Sequence, residues 1–179
     1  MDKYIKYVCA IVKFIAVLAI VIYIGYNIAT ALIIGGIFPI APDYSSMERH
    51  FNENYANMLY ISNKLLETDY DYIVIREDQG KIDMFVASED ERKNVKITDE
   101  QLKKDIDLIY HRGFNTIFLN EYKNVEFCKW SSLSVTRGIV YSINDSDPKV
   151  EWQTEIRSLS IPNWYYYESS YEKWQMLNK

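Results

Sequence analysis

The residues in this chain that could do chemistry are few and scattered. Asp69 and Asp71 stand two apart at the start of an extended segment, where strand alternation puts both on one face. Together with Glu168 they are the carboxylates a hydrolase would use, provided the fold brings a pair to within roughly 5–10 Å across the bond to be cut. The two histidines, His50 and His111, fall on the polar side of one expected helix and in the last turn of another. A cation suits the second position because it faces the negative end of the helix dipole. Neither histidine belongs to an HExxH pattern or to a set of spaced cysteines, so no metal site is expected. Cys128, inside "VEFCKW", reads as a small apolar strand residue; a nucleophilic role would need a histidine partner. "NDSDP" (144–148) starts like a calcium loop at Asp145 and Asp147. Lys149, Val150 and Ile156 then occupy the fifth, sixth and twelfth positions, where a ligand, glycine and glutamate belong. No phosphate-cradling glycine loop or G-x-S-x-G elbow occurs, and the serines of "WSSLS" (130–134) match no nucleophile motif. No catalytic residue and no cofactor is assigned, and the reading leans away from an enzyme.

Recognition is the other chemistry available. "NWYYYE" places four large rings in a row. In a strand Trp164 and Tyr166 share one face and Tyr165 and Tyr167 the other, so the four cannot all reach one core. Either both faces are covered and this is a buried final strand, or a pair of rings stays at the surface. In the second case Trp164, Tyr165, Tyr166 and Tyr167 are candidate binding residues, an aromatic strip suited to sugar rings or to a partner protein.

These residues are carried by a chain of two unlike parts. From Phe14 to Phe38 there is no charged residue, and only Asn27 and Thr30 are clearly polar. Twenty-five helical residues would reach ~37 Å, enough to cross a ~30 Å hydrocarbon layer with tilt. Residues 1–42 are read as a cytoplasmic stub, a transmembrane anchor in the lipid bilayer and a short linker closed by Pro39 and Pro42. Residues 43–179 are read as one extracytoplasmic domain, long enough for a core of its own. Lys3, Lys6 and Lys13 precede the apolar run, and the first charge after it is Asp43, so the positive-inside bias keeps the N-terminus in the cytoplasm. The rival reading is secretion after signal cleavage near Ala31, since Ala29-Thr30-Ala31 has the small-x-small form. "LIIGGIF" then continues the apolar run past that site. With this topology Cys9 and Cys128 lie on opposite sides of the membrane and cannot pair. Of the net charge of −5, the first 42 residues contribute +2 and the remainder −7. A domain that acidic, without a Lys/Arg run, is not expected to bind nucleic acid.

Periodicity supplies the elements. A capping box "SSME" (Ser45 to Glu48) opens a helix over about 46–67 with Phe51, Tyr55, Met58, Leu59, Leu65 and Leu66 on its apolar face. "DYDYIVIRE" and "IDMFVA" are two strands joined by a turn at "EDQGK", and the charged stretch 88–96 reads as a loop. "TDEQ" (98–101) caps a second helix carrying Leu102, Ile106 and Ile109, stopped by Gly113. Four strands follow, at 115–120, 125–130, 135–143 and 164–168, and "SSYE" (169–172) opens a last short helix. The order α-β-β-α-β-β-β-β-α needs few parallel crossovers, so the fold class is α+β: a mostly antiparallel sheet with two packed helices, preceded by one N-terminal transmembrane helix.

"RGIVYSINDSDP" and, some twenty residues on, "NWYYYE" resemble a group of small, N-terminally membrane-anchored proteins of Gram-positive bacteria. That group carries a Gly-Ile-x-Tyr-Ser segment and a C-terminal Trp-Tyr-Tyr-Tyr-Glu strand. The resemblance covers most of 45–174, is specific only at Gly138–Ser142 and Trp164–Glu168, implies membrane attachment and supplies no catalytic residue. The function expected is that of a single-pass, membrane-tethered binding or structural module with a protein or cell-wall partner. The alternatives are a carboxylate-dependent cell-envelope hydrolase and an immunity or accessory protein for a membrane partner.

Overall fold

The apolar–polar alternation after Asp43 is realised, in the computed structural model, as one eight-stranded sheet with every neighbouring pair antiparallel. The residues described are 15, 17–28, 41–78, 80–88, 91–132, 134–143, 148 and 152–177. The chain divides into two units, Met1–Ile40 and Ala41–Lys179. In the first, 17–28 is helical, and its large apolar side chains are exposed. Among the described residues no helix is long and apolar enough to cross a membrane, so the described fold is α+β without a transmembrane helix. The rest of the expected Phe14–Phe38 span, with Ala31 and Cys9, lies outside the described residues, as do 144–147 of "NDSDP".

In the second unit helix α1 (Tyr44–Leu66) leads to strands β1 (Tyr72–Asp78), β2 (Lys81–Ala87) and β3 (Arg92–Val95). Helix α2 (Glu100–His111) follows, then β4 (Thr116–Leu119), β5 (Asn124–Ser131), β6 (Val135–Ser142), β7 (Gln153–Ser158), β8 (Trp164–Ser170) and the short helix α3 (Tyr171–Leu177). The spatial order is β3-β2-β1-β4-β5-β6-β8-β7. Two strands, β3 and β7, were not expected, and both are edges. β3 reads "RKNV", without an apolar face for periodicity to detect; such charged edges discourage pairing with other chains. β7 reads "QTEIRS", mostly polar for the same reason.

Each helix is capped close to the expected box but not by it. Asp43, not Ser45, caps α1, accepting from the Ser46 N–H at 2.8 Å, and Ser45 donates its hydroxyl to the same carboxylate. Asp99, one beyond Thr98, caps α2 through the Leu102 N–H at 2.9 Å. At α3 it is Ser170, not Ser169, that accepts from the Lys173 N–H. An ionised carboxylate outcompetes a neighbouring hydroxyl at a helix start because it adds charge–dipole attraction to the hydrogen bond. The Ser46 and Leu102 N–H groups accordingly hold Asp43 and Asp99 below the usual carboxylate pKa range. Gly113 ends α2 at φ +85°, a left-handed conformation in which glycine carries no penalty.

α1 and α2 cover one face of the sheet, where Phe51, Met58, Ile61 and Ile106 meet Ile73, Ile75, Ile117, Phe127 and Ile139. Trp164 is the hub of this core, 1% exposed, with the rings of Tyr141, Phe51, Phe127 and Tyr55 at centroid distances of 4.8 to 6.1 Å. The helices hold each other through the buried Asp105 of α2, which accepts from Asn57 of α1 and from Gln101. Lys129 of β5 donates to the Arg112 carbonyl at the end of α2 and lies over the Phe114 ring. At the entrance to the domain, Arg137 pairs with Glu168 at 2.7 Å and also donates to the Pro42 carbonyl, while Tyr44 donates to the Ser158 carbonyl.

Gly138, in the middle of β6, marks a close approach. A Cβ there would lie 2.4 Å from the Phe127 carbonyl oxygen and 2.7 Å from the Tyr167 ring, which crosses over this position. We expect Gly138→Ala to lower unfolding free energy by about 1–3 kcal/mol in denaturant titrations, through forced overpacking. Gly80→Ala, with open space but φ +77°, is expected to lose about 1 kcal/mol.

Candidate functional site

The second face of the sheet is turned away from α1 and α2, and among the described residues the start of α3, at Tyr171, borders it. Register assigns it Val74 and Arg76 of β1, Phe85 of β2, Phe118 of β4, Glu126 and Cys128 of β5, Gly138 and Val140 of β6, and Tyr165 and Tyr167 of β8. A cleft of about 570 Å³ is sunk into this face. Five aromatic side chains line it: Tyr72, Phe118, Trp152, Tyr167 and Tyr171. The polar lining is Arg76, Asn120, Glu126, Thr136, Ser169 and Ser170. A second cleft of about 670 Å³, walled by Val74, Asp83, Phe85 and Asn94, shares Tyr72 and Arg76 with the first. The two clefts adjoin across Tyr72 and Arg76, and this pair of neighbouring clefts is the groove.

Glu126 is the chemical centre of the groove. Its neighbours Val125 and Phe127 fill the helix-covered core, so alternation forces this acid onto the opposite face. Asn120 donates its amide to the carboxyl at 3.1 Å, and the Tyr167 hydroxyl donates as well. Some solvent reaches the side chain through the cleft, but protein atoms enclose the carboxyl. Burial outweighs the two hydrogen bonds and pushes its pKa from 4.5 up to about 7. Among the described residues, no positive charge contributes to holding it ionised. The surrounding groups keep their protons. Burial raises Tyr167 well above the usual phenol value, lifts Tyr72 and pushes the Cys128 thiol up to about 12.

Of the expected ring strip, Trp164 and Tyr166 are core residues on the helix side, 1% and 2% exposed. Only Tyr165 and Tyr167 face the groove side, and Tyr167 is 1% exposed, its hydroxyl engaged by Glu126. The four therefore do not form one surface, for the alternation reason given above. The three carboxylates proposed for hydrolysis do not converge. Asp69 and Asp71 are exposed, with Lys123 3.5 Å from Asp71, while Glu168 is tied to Arg137 at the other end of β8. β1 and β8 are four strand spacings apart, about 19 Å. Cys128 is buried on the groove side, and both histidines sit on the helices of the opposite face, so no cysteine–histidine pair forms. His50 is held below its ordinary pKa by burial, with Lys129 nearby adding to the effect. Among the described residues, no three His, Cys, Asp or Glu side chains converge as metal ligands.

No protein-family model, curated protein or solved structure matches the chain. The groove itself was not anticipated from the sequence. The signal for Glu126 was present in "NVEFCKW", where inward Val125 and Phe127 put Glu126 and Cys128 together on the other side. Tyr72, Arg76, Phe118 and Trp152 come to the same place only through strand order and register.

A carboxyl whose folded pKa is raised contributes stability that is fully present below its unfolded value, near 4.5, and is lost as pH rises through about 7. Between pH 4.5 and 7.5 the protein should therefore lose on the order of 2 kcal/mol of unfolding free energy through Glu126. Glu126→Gln, which keeps the hydrogen-bonding shape without the charge, should flatten that part of the profile. Parallel profiles for the two proteins in chemical denaturation at stepped pH would contradict the assignment.

Proposed function

We propose that this chain is a membrane-tethered, non-catalytic binding module whose ligand lies in the aromatic groove on the sheet face turned away from α1 and α2. The observation that carries the reading is the pair of neighbouring clefts, lined by five rings on one side and converging on a few polar groups around Glu126. Ligand sites have this composition: concave, mainly apolar, several hundred Å³, with sparse polar groups that set orientation. Tyr72 supports it further, since it is 40% exposed in the cleft wall, where ring area is open to contact.

The tether rests on the uncharged Phe14–Phe38 run, the lysines before it and the resemblance to N-terminally anchored proteins of Gram-positive bacteria. In this reading the groove faces the extracytoplasmic side. Exposed apolar side chains along 17–28 accord with a helix whose surroundings are lipid.

The groove can be tested by saturation-transfer NMR on the full-length chain in a non-ionic detergent, with indole as probe. Transfer should exceed that of empty micelles and fall to the micelle level in the Phe118→Ala, Trp152→Ala double variant, with circular dichroism showing the fold intact. Equal transfer in both proteins would remove the groove as a site. For the tether, a reporter active only in the cytoplasm should be silent when fused after Lys179, and its activity there would reverse the topology.

A further inference from the structure

The groove's charge pattern is specific enough to name a ligand class, and this step rests on the groove being the binding site. Glu126 is an enclosed carboxyl with a phenol and an amide as partners and, among the described residues, no cation holding it ionised. An enclosed carboxylate without counter-charge is costly, so the site resolves the cost either by keeping a proton or by taking a positive charge from outside. The rings beside it favour the second route for one kind of visitor. Aromatic faces carry negative potential that attracts ammonium groups and repels anions, most strongly where the cation is desolvated. The lining provides both elements, a lone acid and Tyr72, Phe118, Trp152 and Tyr167 around one cleft. Arg76 does not reverse the balance. It belongs to the wall shared with the second cleft, opposite Asp83 in the register, and among the described residues no ion pair joins it to Glu126.

We propose that the floor of this cleft binds the ammonium group of a small organic cation, with Glu126 as its counter-charge and the surrounding rings as its cage. A cavity of about 570 Å³ takes a molecule of several heavy atoms beyond the charged group. A bare metal ion is disfavoured, because among the described residues no three ligating side chains meet.

Binding is coupled to a proton. The groups facing Glu126 are Tyr167 from β8, Asn120 after β4, Cys128 on its own strand, Tyr72 and Arg76 from β1, and the uncharged Val140 and Gly138 of β6. The phenols and the thiol are pushed up and stay protonated, so among these groups Glu126 is the one whose charge changes near neutrality. The ammonium meets a carboxylate above pH 7 and a neutral acid below it.

The test is calorimetric titration of the full-length chain in non-ionic detergent with choline, beside 3,3-dimethylbutan-1-ol, which has the same shape without the charge. Choline should bind at least tenfold more tightly than the alcohol at pH 8.5. Its affinity should fall about thirtyfold by pH 5.5, as a carboxyl titrating near 7 passes from ionised to neutral. Glu126→Gln should lose at least tenfold in choline affinity together with the pH dependence. Should that variant not fold, the wild-type comparison of choline with its neutral isostere at the two pH values decides the matter. Equal binding of the two compounds, or pH-independent choline binding, overturns the ammonium site. Were indole still displaced by the Phe118→Ala, Trp152→Ala pair in that event, the groove would stand and the cation alone would be withdrawn. Loss of both signals removes the groove as well.

Discussion

A sheet has two faces, and in this chain the two long helices α1 and α2 both cover the same one. The organisation of the second unit follows from that imbalance. On the covered side the strands present Ile, Val, Phe and Trp to α1 and α2, and Trp164 joins both helix and sheet rings into one cluster. On the other side buried Val140, Cys128 and Tyr167 stand beside exposed Tyr72 and Phe85, so the strands need residues that suit both settings. Tyrosine meets that need, because its ring packs on the sheet while its hydroxyl finds a polar partner. The triple tyrosine of β8 is thus a strand built for two environments, with Tyr166 inward and Tyr165 and Tyr167 outward.

The close approach at Gly138 links this partition to the groove. Tyr167 lies flat enough on the sheet to bring its hydroxyl to Glu126 only because position 138 has no side chain. A ring packed so closely walls off the acid from water on that side, and burial then dominates the titration of the carboxyl. Packing, hydrogen bonding and the raised pKa are one arrangement, traceable to a glycine, a tyrosine and a glutamate on three adjacent strands. The groove residues are otherwise ordinary for a sheet surface, and it is their convergence with an enclosed acid that makes the place chemically distinct.

Local signals in the sequence proved strong where a single physical effect acts alone. The apolar periodicity of α1 and α2, the glycine stop at Gly113, the turn at Gly80 and the six apolar strands were all legible, with ends displaced by one to three residues. Legibility failed where effects compete. Three hydroxyl-led capping boxes were read, and in two of them a nearby aspartate took the role by charge. Edge strands β3 and β7 lack a run of alternating apolar residues, with only Val95 and Ile156 apolar in them, so little in their patterns separates them from loops. Asp69 and Asp71 share a side by strand alternation and Glu168 stands on a distant strand, and neither relation brings acids together around one point in space.

Sequence alone determined the two-part character of the chain, the α+β class, the inward and outward assignment of each ring in β8, and the uncharged run before the domain. These depend on nearest-neighbour periodicity and on net polarity, both written in consecutive residues. Tertiary structure alone decided which outward residues meet. Strand order set β4 between β1 and β5, and β8 between β6 and β7, so that Tyr72, Phe118, Glu126 and Tyr167 surround one cleft although they span ninety-five positions. Register is fixed by the summed burial of the covered face, a property of all eight strands together, and no short stretch of sequence contains it.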